Sequence, residues 1–189
     1  MNAPMGMLNA TKLVAACALF ITVLSLFAQE KAPLPPQTVA ALDTDKYMGT
    51  WYEIARFPNQ FQTQCAGKVS AAYQLKDRGR IAVTNTCDLA NGQRESTEGE
   101  AKLGSAGLST QLRVSFLPKL LRWLPVGWGD YWVIDLASDY RYAVVSDSNR
   151  KFLWLLSRTP AMAITDRVAI EARLQAQSFD TRRLVNTPQ

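Results

Sequence analysis

The chain has 189 residues, with 21 basic and 16 acidic side chains, 48% apolar residues, three cysteines and no histidine. Without histidine, Ser-His-Asp and Cys-His nucleophilic sites, His-based zinc sites and a His-ligated haem are excluded. The length and a charged fraction of 20% fit one soluble globular domain; the net charge of +5 is scattered rather than gathered into a stripe, which excludes nucleic acid as a partner.

Residues 13–28 form an unbroken run of apolar and small side chains after Lys12, and Gln29-Glu30-Lys31 follow at once. This is the shape of a signal peptide over residues 1–28. The run is shorter than the ~20 residues of a membrane span. Cleavage after Ala28 is the first expectation; an uncleaved anchor and a lipid on Cys17 are the alternatives, although most of the apolar run follows Cys17 instead of preceding it. Residues 29–38, with Pro33, Pro35 and Pro36, read as a stiff linker, and 39–189 as the folded domain. Removal of the leader leaves Cys65 and Cys87, and an even count in an exported chain predicts a disulfide, with two free thiols as the alternative.

From residue 47 onward, short alternating runs rich in Val, Thr, Tyr, Phe and Trp are separated by Gly, Asn and Asp. Eight strands are expected, over about 50–57, 68–75, 81–87, 96–102, 111–116, 131–136, 142–147 and 152–157. Turn chemistry at Asp77-Arg78-Gly79, Asn91-Gly92 and Ser138-Asp139 links them as hairpins. After Pro160 the period becomes 3.6, with Thr165 as N-cap and Ile164, Val168, Ile170 and Leu174 as the apolar positions of one helix. The expected fold is all-β: an eight-stranded antiparallel up-and-down barrel with a C-terminal helix packed outside. The period does not decide whether the barrel is filled or holds one small ligand.

Gly49-Thr50-Trp51-Tyr52-Glu53-Ile54-Ala55-Arg56 at the first strand resembles the Gly-x-Trp signature of the lipocalins. Ser138-Asp139-Tyr140 stands where that family carries Thr-Asp-Tyr, and Arg158 ends the eighth strand in Leu-Ser-Arg-Thr-Pro. The resemblance runs from about Val39 to Val185, and within the family it is strongest to the bacterial outer-membrane lipocalins and apolipoprotein D. It implies a short N-terminal helix before the first strand, with Trp51 plugging the closed end and Arg158 lying across its indole. Gly49, Trp51, Asp139, Tyr140 and Arg158 are thus structural signature residues. It also implies an exported chain of the periplasm or outer membrane that binds and carries a fatty acid or lysophospholipid, as monomer or homodimer.

Strand order places Cys65 and Cys87 at the mouth, although strict hairpin pairing sets Cys87 opposite about Val69, so the partner strand must curl. The two-residue period anchored on Trp51 and Arg158 turns Glu53, Ala55, Phe57, Trp154 and Leu156 inward. Ala71, Tyr73, Val83, Leu112, Val114, Phe116, Tyr131 and Val133 complete the expected ligand wall. The connection between strands five and six is unusually apolar for a loop; Leu120, Leu121, Trp123 and Trp128 make it a membrane-surface contact or a lid. No cofactor and no metal site is expected. Two other functions stay open: a lipid-modifying enzyme using Glu53 as general acid, and a protein-docking module with a filled barrel.

Overall fold

A computed structural model of the chain describes residues 34–104 and 106–189. The leader over 1–28, Cys17 and residues 29–33 lie outside the described residues.

The N-terminal segment crosses the closed end of a barrel, where the Val39 amide donates to the Val133 carbonyl at 3.0 Å. One turn of helix, α1 (Thr44–Tyr47), follows; Asp43 caps it by accepting from the Lys46 amide. Eight strands then run up and down: β1 (Gly49–Arg56), β2 (Cys65–Leu75), β3 (Ile81–Leu89), β4 (Arg94–Leu103), β5 (Gln111–Ser115), β6 (Gly129–Leu136), β7 (Tyr142–Ser146) and β8 (Leu153–Ser157). Each pairs antiparallel with the next, and β1 pairs with both β2 and β8, so the sheet closes. Closure removes the exposed edges of an open sheet.

Two buried layers result. Inside, Trp51, Tyr47, Val83, Leu112, Val133, Val145 and Leu156 belong to one cluster. Outside, α2 (Ile164–Ala176) lays Ile170 and Leu174 on Val144, Leu153 and Leu155, with Phe179 just beyond the helix. The helix differs from its expected register. It starts after Ala163, and Ile164 and Val168 are 74% and 62% exposed. Its first turn is held by charge instead: Asp166 accepts two bonds from the Arg141 guanidinium, which also binds Asp139.

A ninth strand, β9 (Val185–Asn186), has no counterpart in the sequence reading. Over its first half β1 pairs with β2 (Trp51↔Ala71, Tyr52↔Ser70); over its second half it pairs with β9 instead (Ala55↔Asn186, Arg56↔Val185). The C-terminal residues thus fill the seam where β1 and β2 part. The Lys68 amide donates to the Pro188 carbonyl, and the Gln189 side-chain amide donates to the carbonyls of Glu53 and Val69, on the two sides of the seam. Gly67 permits this approach, since a Cβ there would lie 2.9 Å from the Pro188 oxygen.

The closed end is built on Trp51, which is fully buried. The Arg158 guanidinium lies 3.8 Å from the centroid of its ring and donates to the carbonyls of Thr50 and Lys46. One side chain therefore joins β8, β1 and α1. Gly49, with φ +94°, supplies the backbone turn beside it. Tyr140, also at positive φ, accepts from the Asp43 amide through its hydroxyl and ties the β6–β7 turn to α1. Arg158→Ala removes the cation–π contact and both carbonyl bonds, and should lower unfolding free energy by about 2–3 kcal/mol, read as a shift of the urea midpoint at unchanged m. Arg158→Lys should recover less than half, because a single ammonium cannot reproduce the fork.

Candidate functional site

The barrel is hollow. A cavity of about 880 Å³ opens at the mouth and runs down to Tyr47, Tyr73 and Tyr131. Of the residues expected on its wall, Glu53, Ala71, Tyr73, Val83, Leu112, Val114, Phe116, Tyr131, Trp154 and Leu156 line it. Most of these are apolar, and a filled barrel is ruled out for the described residues.

Three expected wall residues lie elsewhere. Ala55 and Phe57 face outward into the layer beneath α2, where the Phe57 ring packs 6.4 Å from Phe179. The cause is a bulge. Glu53 pairs with Leu156 but Ala55 pairs with Leu155, so Ile54 is an extra residue in β1 and every side chain beyond it changes face. Val133 points inward but lies below the cavity, in the cluster around Trp51 at the closed end.

The bulge also creates a polar strip in the wall. Glu53 is 3% exposed. One carboxylate oxygen accepts from Arg56 Nη1 at 2.9 Å and from the Thr187 hydroxyl; the other accepts from Gln62 Nε2 at 2.6 Å. The Gln62 carbonyl oxygen in turn accepts from Trp154 Nε1 at 3.1 Å. The sequence does not single out Gln62, Arg56 or Thr187 as site residues. They belong to a loop, a position past the bulge and the residue just after the seam strand, none of which carries a periodic signal.

At the mouth, Cys65 and Cys87 form a disulfide with Cα atoms 5.6 Å apart. The curl it requires comes from two register shifts in β2, on either side of Gly67. Ser70 pairs with Thr86, as regular pairing dictates, but Cys65 pairs with Leu89, which leaves Cys87 diagonally adjacent on the same side. Lys68, at φ +48°, sits within the shifted stretch.

The loop between β5 and β6 divides in two. Trp128 is 7% exposed and lines the cavity; its Nε1 donates to the Arg122 carbonyl, and Lys102 Nζ lies 3.9 Å from its ring centroid. Trp128 is therefore part of the wall and not of the loop's exposed apolar surface. Leu120, Trp123 and Val126 are 86%, 78% and 68% exposed, and Leu121 is partly so at 44%.

At the floor, the Tyr131 hydroxyl lies 2.8 Å from that of Tyr47 and 3.0 Å from that of Tyr73. Burial raises all three phenols above their usual range, Tyr73 to about 12 and Tyr47 and Tyr131 well above it. They are neutral donors at any physiological pH. Among the described residues no cluster of His, Cys, Asp and Glu has the makings of a metal site.

Residues 42–189 match the model of a lipocalin-like domain. This chain belongs to the lipocalin family. Its similarity to temperature-induced lipocalin-1 of Arabidopsis thaliana is 36% identity over 155 residues, 81% of this chain and 82% of the relative. To the outer membrane lipoprotein Blc of Escherichia coli K12 it is 34% over 175 residues, 90% and 92%, and to mouse apolipoprotein D 30% over 167 residues, 84% and 82%. Among solved structures, insecticyanin of the tobacco hornworm Manduca sexta superposes with a TM-score of 0.63 at 18% identity, over 82% of this chain and 84% of that one, which is a likeness of fold. Lipocalins bind small hydrophobic molecules. The lipocalin signatures carry the scaffold in this chain, whereas its cavity is made by residues outside them.

The floor phenols also set an alkaline limit. Unfolded tyrosines ionise near pH 10, whereas the folded floor holds its protons to about pH 12 for Tyr73 and beyond for the other two. Above pH 10 the unfolded chain therefore binds fewer protons, and stability should fall with rising pH by up to about 1.4 kcal/mol per pH unit for each phenol. Urea midpoints at pH 9, 10 and 11, with tyrosinate absorbance of the folded protein, test this; a flat midpoint with early ionisation would contradict a buried floor.

Proposed function

We propose that this lipocalin is a non-catalytic carrier of single-chain lipids, fatty acids or lysophospholipids, in the cell envelope. The observation that carries this reading is the open-mouthed cavity of about 880 Å³ with a mainly apolar wall. Its size is that of pockets that enclose a whole small ligand, in the range of roughly 300–1,000 Å³. A mainly apolar space that is open at the mouth suits an acyl chain whose polar group stays at the opening. The envelope placement rests on the leader-like segment and on the similarity to an outer membrane lipoprotein. We assign to ligand contact the expected wall residues that line the cavity, a set that leaves out Ala55, Phe57 and Val133.

The arrangement around Glu53 argues against an acid role. Its carboxylate already receives Arg56, Thr187 and Gln62, and all three come from elements that meet at the seam. The group anchors β1, the β1–β2 loop and residue 187 of the C-terminal segment to one another.

The exposed side chains of Leu120, Trp123 and Val126 support a second element of the reading. With Phe61 and Phe116, which are 55% and 39% exposed, they surround the mouth with apolar surface. Such a rim suits insertion among lipid headgroups, which would bring the mouth to the source of its ligand.

Native mass spectrometry of the full domain should show retained lipid or a one-to-one complex with lysophosphatidylcholine. The same titration should change Trp154 fluorescence saturably, and Ala71→Trp, which fills the cavity, should weaken binding at least tenfold. An empty protein that ignores single-chain lipids would reject the carrier. For the rim, the double variant Leu120→Ser with Trp123→Ser should lose at least tenfold in cosedimentation with phosphatidylglycerol vesicles, from the apolar area withdrawn from the bilayer.

A further inference from the structure

The three phenols at the cavity floor are joined by two contacts, both to the Tyr131 hydroxyl. Each phenol has one proton to donate. If Tyr131 accepts from both neighbours, its own proton is left over. If it accepts from one and donates to the other, the proton of the end member is left over. Every arrangement leaves one O–H that the triad itself cannot use, and all three residues line the cavity.

The surroundings restrict what can take that proton. Near the floor the wall includes Met48, Ile81, Val83, Ala101, Leu112 and Leu156, of which only the Met48 thioether accepts through its side chain, and weakly. Tyr47 and Tyr73 are 1% and 9% exposed and Tyr131 is partly buried, so the leftover proton is reached only through the cavity. A ligand that fills the floor with hydrocarbon alone leaves that donor unmet, at a cost of about 1–3 kcal/mol. An anion is a poor partner, because a buried charge needs a compensating one. Arg113, the cation on the cavity wall among the described residues, is held near the mouth by the Trp128 carbonyl and Asp130. Arg158 lies across Trp51 with donors engaged by two carbonyls.

We infer that the floor triad Tyr47, Tyr73 and Tyr131 selects ligands whose deep end carries an uncharged oxygen acceptor, a hydroxyl, ether or keto oxygen, over ligands that end in hydrocarbon. This inference rests on the carrier reading and refines it: the preferred cargo is an acyl chain oxygenated at or near its far end, with its charged group at the mouth.

The test compares pairs of equal length on the full domain, by tryptophan fluorescence and calorimetry. Wild type should bind 16-hydroxyhexadecanoic acid five- to thirtyfold more tightly than heptadecanoic acid, the span of one buried hydrogen bond of about 1–2 kcal/mol. It should also prefer 16-methoxyhexadecanoic acid to octadecanoic acid, since the methoxy oxygen only accepts. The triple variant Tyr47→Phe, Tyr73→Phe and Tyr131→Phe keeps the ring volumes and removes every floor hydroxyl together, a change that buried hydrogen-bonded groups tolerate well. In it both preferences should fall to about one. Equal affinities in wild type, or preferences that persist in the triple variant, would overturn the inference while leaving the carrier standing. Binding of none of the four acids would overturn the inference, and if lysophosphatidylcholine is ignored as well, the carrier with it. If the triple variant does not fold, the two wild-type ratios decide alone.

Discussion

One extra residue in β1 sets the shape of the ligand wall. A strand that kept strict alternation would carry Ala55 and Phe57 into the barrel. The bulge at Ile54 instead turns both outward, where Phe57 becomes part of the bed for α2, and brings Arg56 within reach of Glu53. It also coincides with the point where β1 leaves β2 and accepts β9. The inner wall and the outer helix layer both depend on this local change of face, and the seam opens beside it. The polar strip of Glu53, Gln62 and Thr187 follows from it, because three elements meet there and their polar groups need one another inside an otherwise apolar wall.

The floor is organised by a second device. Trp51 fills the closed end and is held from below by Arg158, while above it the Tyr47 ring packs 5.0 Å from the indole. Trp51 Nε1 donates to the Tyr47 carbonyl, so the residue that brings a phenol into the barrel also satisfies the plug. A scaffold contact and a cavity-facing group are thus fixed by one another. Rigid support of this kind lets three hydroxyls keep hydrogen-bonding geometry at the end of a cavity.

The strands were legible because each alternates and is bounded by turn residues; all eight lie within three residues of their expected ends. The signatures were legible because Gly49, Trp51 and Arg158 make one contact that needs those side chains. What failed did so for physical reasons. Ala55 and Phe57 are buried on alternate positions whether they face a cavity or a helix, so burial period cannot tell the two layers apart. Ile164 and Val168 are one turn apart and share a face, but at 3.6 residues per turn Val168 and Ile170 point to nearly opposite sides of α2, and the side of Ile170 and Leu174 is the one laid on the sheet. The seam strand has two residues, too few for any period, and Tyr47 escaped notice because it precedes β1. The disulfide was expected from cysteine count, but the two shifts in β2 that make it geometrically feasible leave no mark beyond Gly67.

Rim and wall differ in how firmly they are held, and that difference bears on ligand exchange. On one side of the mouth, the disulfide ties β2 to β3 and fixes their ends. On the other, Trp128 is anchored through its indole nitrogen, its ring face and its carbonyl, which accepts from Arg113 at 2.6 Å. Between these fixed points the segment carrying Leu120 and Trp123 makes a single 3-10 turn with no buried residue. A wall fixed at these points keeps the cavity open, so binding need not pay for forming it, while the crest, tied down through Arg122 to the Leu117 carbonyl, leaves Leu120 and Trp123 outside it for the contact proposed above.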